Sequence, residues 1–161
     1  MRSRALADPE NQQAIRRYTG RYPNARLILA YAARGFNPHY TAEGIEALQG
    51  LENVWFDSSV VTDAGALEAI LSTFGARRLL YGSDFPVSQL RGRCVAVGDS
   101  FLWITEDNTS FAAGYAEVRP TLVGLESLRT LKLACRNLRL SDSDVEAIFF
   151  ENAATLYSLK P

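Results

Sequence analysis

Short apolar runs alternate with amphipathic stretches along the first half of the chain. Three runs rich in leucine, valine and aromatic residues begin about 25 residues apart, at 26–31, 53–58 and 78–83. The runs lack the polar alternation of a half-exposed strand, which is typical of strands buried on both faces of a parallel sheet. The stretches between them carry apolar residues at helical spacing. The pattern predicts α/β architecture, as an open sheet or as a slice of a barrel.

Residues that favour helix starts and ends bound the amphipathic stretches. Asp8 followed by proline begins the first predicted helix, and Thr41 and Thr62 are expected to cap the second and third. Pro120 is expected to open a long helix. Ser141 and the aspartate three residues later resemble a capping box for another. These signals predict three βα units followed by C-terminal helices.

The alternation of apolar runs and amphipathic stretches ends after the third run. Residues 87–119 contain several glycines and polar residues without a long helical period, which predicts an irregular insertion over a site or an interface. No linker divides the chain, so we expect residues 1–161 to form one domain. A three-stranded slice would expose unpaired strand edges and a bare sheet face, unless a partner covers them.

The amino-acid composition limits the classes of binding partner that we expect and indicates the cellular compartment of the protein. A formal net charge of -1 gives no reason to expect nucleic acid or an anionic membrane surface. No apolar run approaches the ~18 residues of a membrane span, and the N-terminus lacks the apolar core of a secretory signal. The two cysteines, Cys94 and Cys135, are far apart and outside any CxxC pair. We therefore expect reduced thiols and a cytoplasmic protein.

Polar side chains follow the predicted strands at the ends where α/β active sites lie. Asp84 could bind a metal or accept a proton from a metal-bound water, or it could cap the next segment or pair with an arginine. Tyr31 could hydrogen-bond a substrate oxygen or simply pack, and Arg34 could pair with a substrate carboxylate or lie on the surface. Asp57, Ser58 and Ser59 could orient a water or cap the turn before Thr62.

Three segments resemble the C-terminal half of the amidohydrolase-related superfamily, metal-dependent hydrolases and decarboxylases built on (β/α)8 barrels. The segment 78–86, RLLYGSDFP, is similar to the eighth-strand motif of that family, which implies that Asp84 binds the metal or accepts a proton from the attacking water. The segment 25–35, ARLILAYAARG, looks like the sixth strand, where Tyr31 takes the place of a histidine. The segment 151–159, ENAATLYSL, resembles the terminal helix. The resemblance implies a partial (β/α)8 TIM barrel made of roughly the last three βα units and the C-terminal helices.

The chain also departs from that family. The histidine pair of the first strand has no counterpart, and the single histidine, His39, is expected in an exposed loop. Tyrosine is a poor ligand for a divalent metal because its unperturbed pKa is about 10. The resemblance therefore implies zinc or manganese in the complete barrel, with none held by this chain alone.

Two functions follow from these observations. The first is metal-dependent hydrolysis of a C–N or C–O bond in a small molecule, or decarboxylation of a small molecule. In this case the chain is inactive in isolation and needs a complementing N-terminal half. The second is a truncated, catalytically inactive relative that serves as an oligomerising or binding module, with homo-oligomers covering the sheet edges.

Overall fold

A three-stranded parallel sheet organises the first half of the molecule. The computed structural model describes residues 4–108 and 119–159. The sheet has the order β1 (Leu27–Leu29), β2 (Val54–Asp57) and β3 (Leu79–Leu80). Leu29 pairs with Phe56, which in turn pairs with Leu79. The predicted α/β class and parallel sheet are confirmed, although each strand is shorter than its apolar run.

Helices connect the strands of the sheet and form most of residues 123–157. The α-helices are α1 (Pro9–Arg21), α2 (Pro38–Gly44), α3 (Ala64–Phe74), α4 (Val123–Asn137), α5 (Asp142–Glu146) and α6 (Asn152–Tyr157). A π-helix, Ala147–Glu151, joins α5 to α6, and short 3₁₀ helices lie at 5–7, 45–48, 76–78, 87–89 and 106–108. In the described part of the chain, no helix is both long enough and apolar enough to cross a membrane.

Some helix boundaries differ from the prediction. The capping box of Ser141 and Asp144 is confirmed. The second helix begins at Pro38 rather than after Thr41, because the Asn37 side chain accepts a hydrogen bond from the backbone N–H of His39. His39 therefore lies in the first turn of α2 and not in a loop, although it is exposed as expected.

The sheet is covered more completely on one face than on the other. Val54 and Phe56 of β2 are fully buried, and the Phe56 ring meets Phe74 of α3 with centroids 5.0 Å apart. Trp55 and Asp57 alternate with them on the opposite face and are only partly buried. The expectation of strands buried on both faces is therefore wrong for β2, because the described residues pack a full helical layer against one face.

The segment predicted as irregular contains regular structure. β4 (Gly92–Val97) and β5 (Ser100–Thr105) form an antiparallel hairpin, so the expectation for 87–119 is corrected at these positions. A two-residue turn joins the strands, and its Gly98 has φ +57°, a conformation that suits glycine. The prediction missed the hairpin because a period of two over six residues is a weak signal between glycines and polar residues. Residues 109–118 of the predicted insertion lie outside the described part of the chain.

A single left-handed turn ends β1. Residues Tyr31 to Arg34 all have φ between +51° and +60°, a conformation that costs an L-residue roughly 1–2 kcal/mol each. The Asp57 carboxylate at the end of β2 offsets part of this cost, because its Oδ1 accepts the backbone N–H groups of Tyr31 (2.8 Å) and Ser59 (3.1 Å). Gly35 closes the turn where an added Cβ would lie 2.8 Å from the Cβ of Ala66.

Replacement of the Asp57 carboxylate tests this anchor. Asp57→Ala removes an acceptor shared by two backbone N–H groups, and we expect it to lower the free energy of unfolding by about 3 kcal/mol. Asp57→Asn keeps one carbonyl oxygen at the same place, so we expect roughly half of that loss. Urea denaturation followed by circular dichroism measures both variants. Equal stability of the wild type and Asp57→Ala would show that the turn is held by other contacts.

Candidate functional site

A cavity of about 430 Å³ lies beyond the ends of β1 and β3, under the hairpin. Its polar lining consists of Tyr31, Asp84, Arg91 and Thr105, and its apolar lining of Phe36, Val60, Val87, Leu90, Trp103 and Val123. Two of the three predicted site residues, Tyr31 and Asp84, therefore lie in the same cavity. A mostly apolar lining with a few polar groups is typical of sites for small molecules.

The backbone presents Asp84 to this cavity at a turn. An added Cβ on Gly82 would lie 2.2 Å from Ser59 Oγ, so the chain leaves β3 in close contact with the loop after β2. Asp84 then has φ +51°, which is uncommon outside glycine but several-fold enriched in aspartate. Its backbone carbonyl accepts the N–H of Ser88 at 3.1 Å. Residues held in this conformation cluster at functional sites, which supports the choice of Asp84.

The Asp84 carboxylate has no partner among the described residues. No hydrogen bond or ion pair to it occurs in the part of the chain that the structure describes. Asp57 differs, because its carboxylate is occupied by two backbone N–H groups. Of the two strand-end aspartates, Asp57 therefore caps its turn, and Asp84 has a carboxylate that can accept a proton or a ligand.

Aromatic rings form one side of the cavity. The Phe36 ring lies 5.6 Å from Tyr31, 5.1 Å from Phe101 and 5.8 Å from Trp103, between ring centroids. The prediction named Tyr31 and missed Phe36 and Trp103. The usable signal was the alternation of Phe101, Trp103 and Thr105, which places all three on one side of a strand.

The predicted arginine, Arg34, does not line the cavity, whereas Arg91 does. Arg34 is exposed and lines a groove along β1 instead of the cavity that contains Asp84. Tyr31 lines both the groove and the cavity, whereas Arg34 lines the groove and not the cavity. Arg91 lines the cavity, where its Nε lies 3.6 Å from Glu106 and its guanidinium donates to the carbonyl of Pro120 at 3.2 Å.

The described residues do not form a metal cage. No group of three or more histidine, cysteine, aspartate or glutamate side chains lies close enough to hold a metal within residues 4–108 and 119–159. His39 is exposed in the first turn of α2. Both cysteines are buried and free, and burial, with a smaller contribution from Asp63, raises the pKa of Cys94 to about 12. Burial therefore favours the neutral form of the Cys94 thiol.

Comparisons with known proteins give one family. A family model described as Amidohydrolase matches residues 3–159. An L-fucono-1,5-lactonase from Burkholderia ambifaria is 30% identical over 115 residues, which cover 62% of this chain and 39% of that protein. An amidohydrolase from Burkholderia multivorans, crystallised with bound zinc and separately with bound HEPES, is 17% and 18% identical, with a TM-score of 0.58 in both crystal forms.

This chain covers only part of the length of each protein that it matches. The two crystal structures cover 94% of this chain, whereas the chain covers 50% of theirs. The chain thus spans about half the length of the solved structures that it matches, and about two fifths of the lactonase. At this level of identity the structural likeness shows a shared fold.

Proposed function

The chain belongs to the amidohydrolase family, and we propose that it serves as a hydrolase that opens a small cyclic ester, a lactone. The observation that carries the proposal is the cavity in which a carboxylate without a partner, Asp84, faces aromatic and apolar walls. The similarity to a lactonase supports the choice of bond. The same observations favour a hydrolase over the binding module that the sequence also allowed.

We propose that Asp84 accepts a proton from the attacking water. The water oxygen then forms a bond to the lactone carbonyl carbon, and the bond from that carbon to the ring oxygen breaks. Asp84 gives the accepted proton to the ring oxygen, which leaves as the new hydroxyl. The product is an open hydroxy acid, which releases its carboxylic proton to solvent and becomes a carboxylate. Arg91 is the cation on the cavity wall that can pair with the carboxylate of this product.

The fold is proposed to be a slice of a (β/α)8 barrel that further polypeptide completes. β1 lies at the edge of the described sheet, and a groove of about 570 Å³ runs along it between β1 and α1. Mainly apolar side chains line the groove, including Leu6, Ile15 and Tyr18. Parallel strands are rarely left with an open edge. We propose that a complementing N-terminal half or a second copy of the chain covers this edge.

Metal dependence is proposed for the completed site and not for this chain alone. The amidohydrolase from Burkholderia multivorans was crystallised with zinc. The described residues of this chain place one carboxylate, Asp84, in the cavity and do not form a cage around it. We propose that zinc or manganese takes Asp84 as one ligand and takes its remaining ligands from the polypeptide that completes the fold.

The two buried, free thiols fit the reducing cytoplasm, which we propose as the location.

The role of Asp84 is tested by Asp84→Asn, because asparagine also tolerates a positive φ but cannot accept a proton at neutral pH. We expect kcat/KM for lactone hydrolysis to fall at least about 100-fold, measured by acid release with a pH indicator on the protein in its native assembly. Asp99→Asn in the hairpin turn, outside the cavity, is the matched control. Full activity of Asp84→Asn would exclude Asp84 as the proton acceptor.

Zinc titration tests the proposal about the metal. We expect isothermal titration of the purified chain alone to show no stoichiometric zinc binding, and Asp84→Asn to give the same trace, because a single carboxylate is one of the three or four ligands that zinc needs. Tight binding of one zinc per chain, lost in Asp84→Asn, would contradict a site shared with other polypeptide.

The assembly state tests the proposal about the open edge. We expect light scattering to find the chain in a dimer or a larger complex at micromolar concentration. Tyr18→Glu should weaken this assembly at least about tenfold, because it places a charge on the apolar groove. Tyr157→Glu, at a similarly exposed tyrosine that does not line the groove, should not. A wild-type monomer at all concentrations tested would exclude a second copy as the cover of the edge and leave the complementing N-terminal half.

A further inference from the structure

The hairpin is fixed to the body of the molecule at its turn. The Asn37 side-chain amide, which is fully buried, donates to the carbonyls of Gly98 (3.1 Å) and Ser100 (3.0 Å). The Tyr40 hydroxyl donates to the carbonyl of Asp99. These three bonds connect both ends of the two-residue turn to α2 and to the residue before it. The tip of the hairpin is therefore held in place.

Further bonds hold the strands of the hairpin and its base. The Thr62 hydroxyl donates to the carbonyl of Cys94 at 2.8 Å, and the Arg93 guanidinium donates to the carbonyl of Thr62 at 3.0 Å. At the base, the backbone N–H of Gly92 donates to Thr121 at 2.9 Å. The hairpin is thus held at its turn, middle and base, which makes it a wall of the cavity and not a mobile lid.

The hairpin contributes the indole of Trp103 to the cavity that also contains the Asp84 carboxylate. Trp103 lies on β5 and lines the cavity together with Phe36 and Asp84. The Trp103 and Phe36 rings meet edge to face, with an angle of 65° between their planes. Contact with Phe36 and the fixed hairpin hold the indole in one orientation. An aromatic ring held this way loses little conformational entropy when a ligand packs against it.

We infer that the indole of Trp103, braced by Phe36, is the surface on which the ring of a neutral cyclic substrate stacks while Asp84 faces its ester. The inference rests on the proposed lactone hydrolysis and names the part of the substrate that is recognised. A sugar-acid lactone fits this surface, because the C–H groups on one side of its ring are apolar and its hydroxyls can reach Tyr31 and Thr105. The cavity wall carries one carboxylate and one guanidinium, which suits a ligand without net charge.

Binding to Trp103 can be measured without catalysis. The chain has two tryptophans, so Trp55→Phe leaves Trp103 as the single indole. We expect L-galactono-1,4-lactone to change the tryptophan emission of the Trp55→Phe, Asp84→Asn protein in a saturable way. Galactitol, an open-chain polyol, should produce at least about tenfold weaker binding. Equal responses to both ligands, or none to the lactone, would overturn the inference.

Kinetics separate substrate stacking from a structural role. In the native assembly, Trp103→Ala should raise KM at least about tenfold with kcat changed less than about threefold, and Trp103→Phe should recover most of the loss. Leu102→Ala is the matched control, because Leu102 lies between Phe101 and Trp103 on β5, is exposed and does not line the cavity. An equal KM effect in Leu102→Ala, or an unchanged KM in Trp103→Ala, would refute a role of the indole in binding.

The two proposals can fail separately. Saturable lactone binding at Trp103 without hydrolysis by the wild-type protein would refute the proposed reaction and leave the stacking surface standing. Hydrolysis with an unchanged KM in Trp103→Ala would refute the stacking surface and leave the reaction standing.

Discussion

The Asp57 carboxylate is the contact on which the geometry of the site depends. It lies at the end of β2 and accepts backbone N–H groups from the turn after β1 and from the loop after β2. This group ties the left-handed turn, and with it Tyr31, to the sheet, while the Thr41 hydroxyl of α2 donates to the carbonyl of Ala32 in the same turn. The loop after β2 in turn lies against Gly82, from which the chain proceeds to Asp84. Both predicted strand-end residues in the cavity are therefore positioned by contacts that begin at Asp57.

The two strand-end aspartates illustrate how position divides similar residues between structure and chemistry. Asp57 makes hydrogen bonds that stabilise a backbone with four consecutive left-handed residues. Asp84 sits in a left-handed conformation itself and keeps its carboxylate available on the cavity side. Backbone strain is concentrated at the rim of the site in both cases, as is common where a fold positions reactive groups.

Two different structural elements contribute the main groups of the cavity. The carboxylate comes from the end of β3, within the motif that resembles the amidohydrolase family, whereas the indole comes from the hairpin β4–β5. In the proposed function, the family fold supplies the carboxylate that reacts, and the hairpin supplies the wall against which the ligand packs. Such a division is expected for α/β folds, in which loops beyond the strand ends vary while the sheet is retained.

The sequence by itself determined the α/β class, the parallel sheet and the family, and it predicted Asp84 as a site residue, because these follow from local periodicity and from a motif of nine consecutive residues. Tertiary structure alone decided which aspartate is occupied, that Arg91 and not Arg34 lines the cavity, and that Phe36 and Trp103 form its aromatic side. These features depend on the left-handed turn and on the docking of the hairpin. Each is produced by contacts between residues about 25 to 70 positions apart, which no local pattern records.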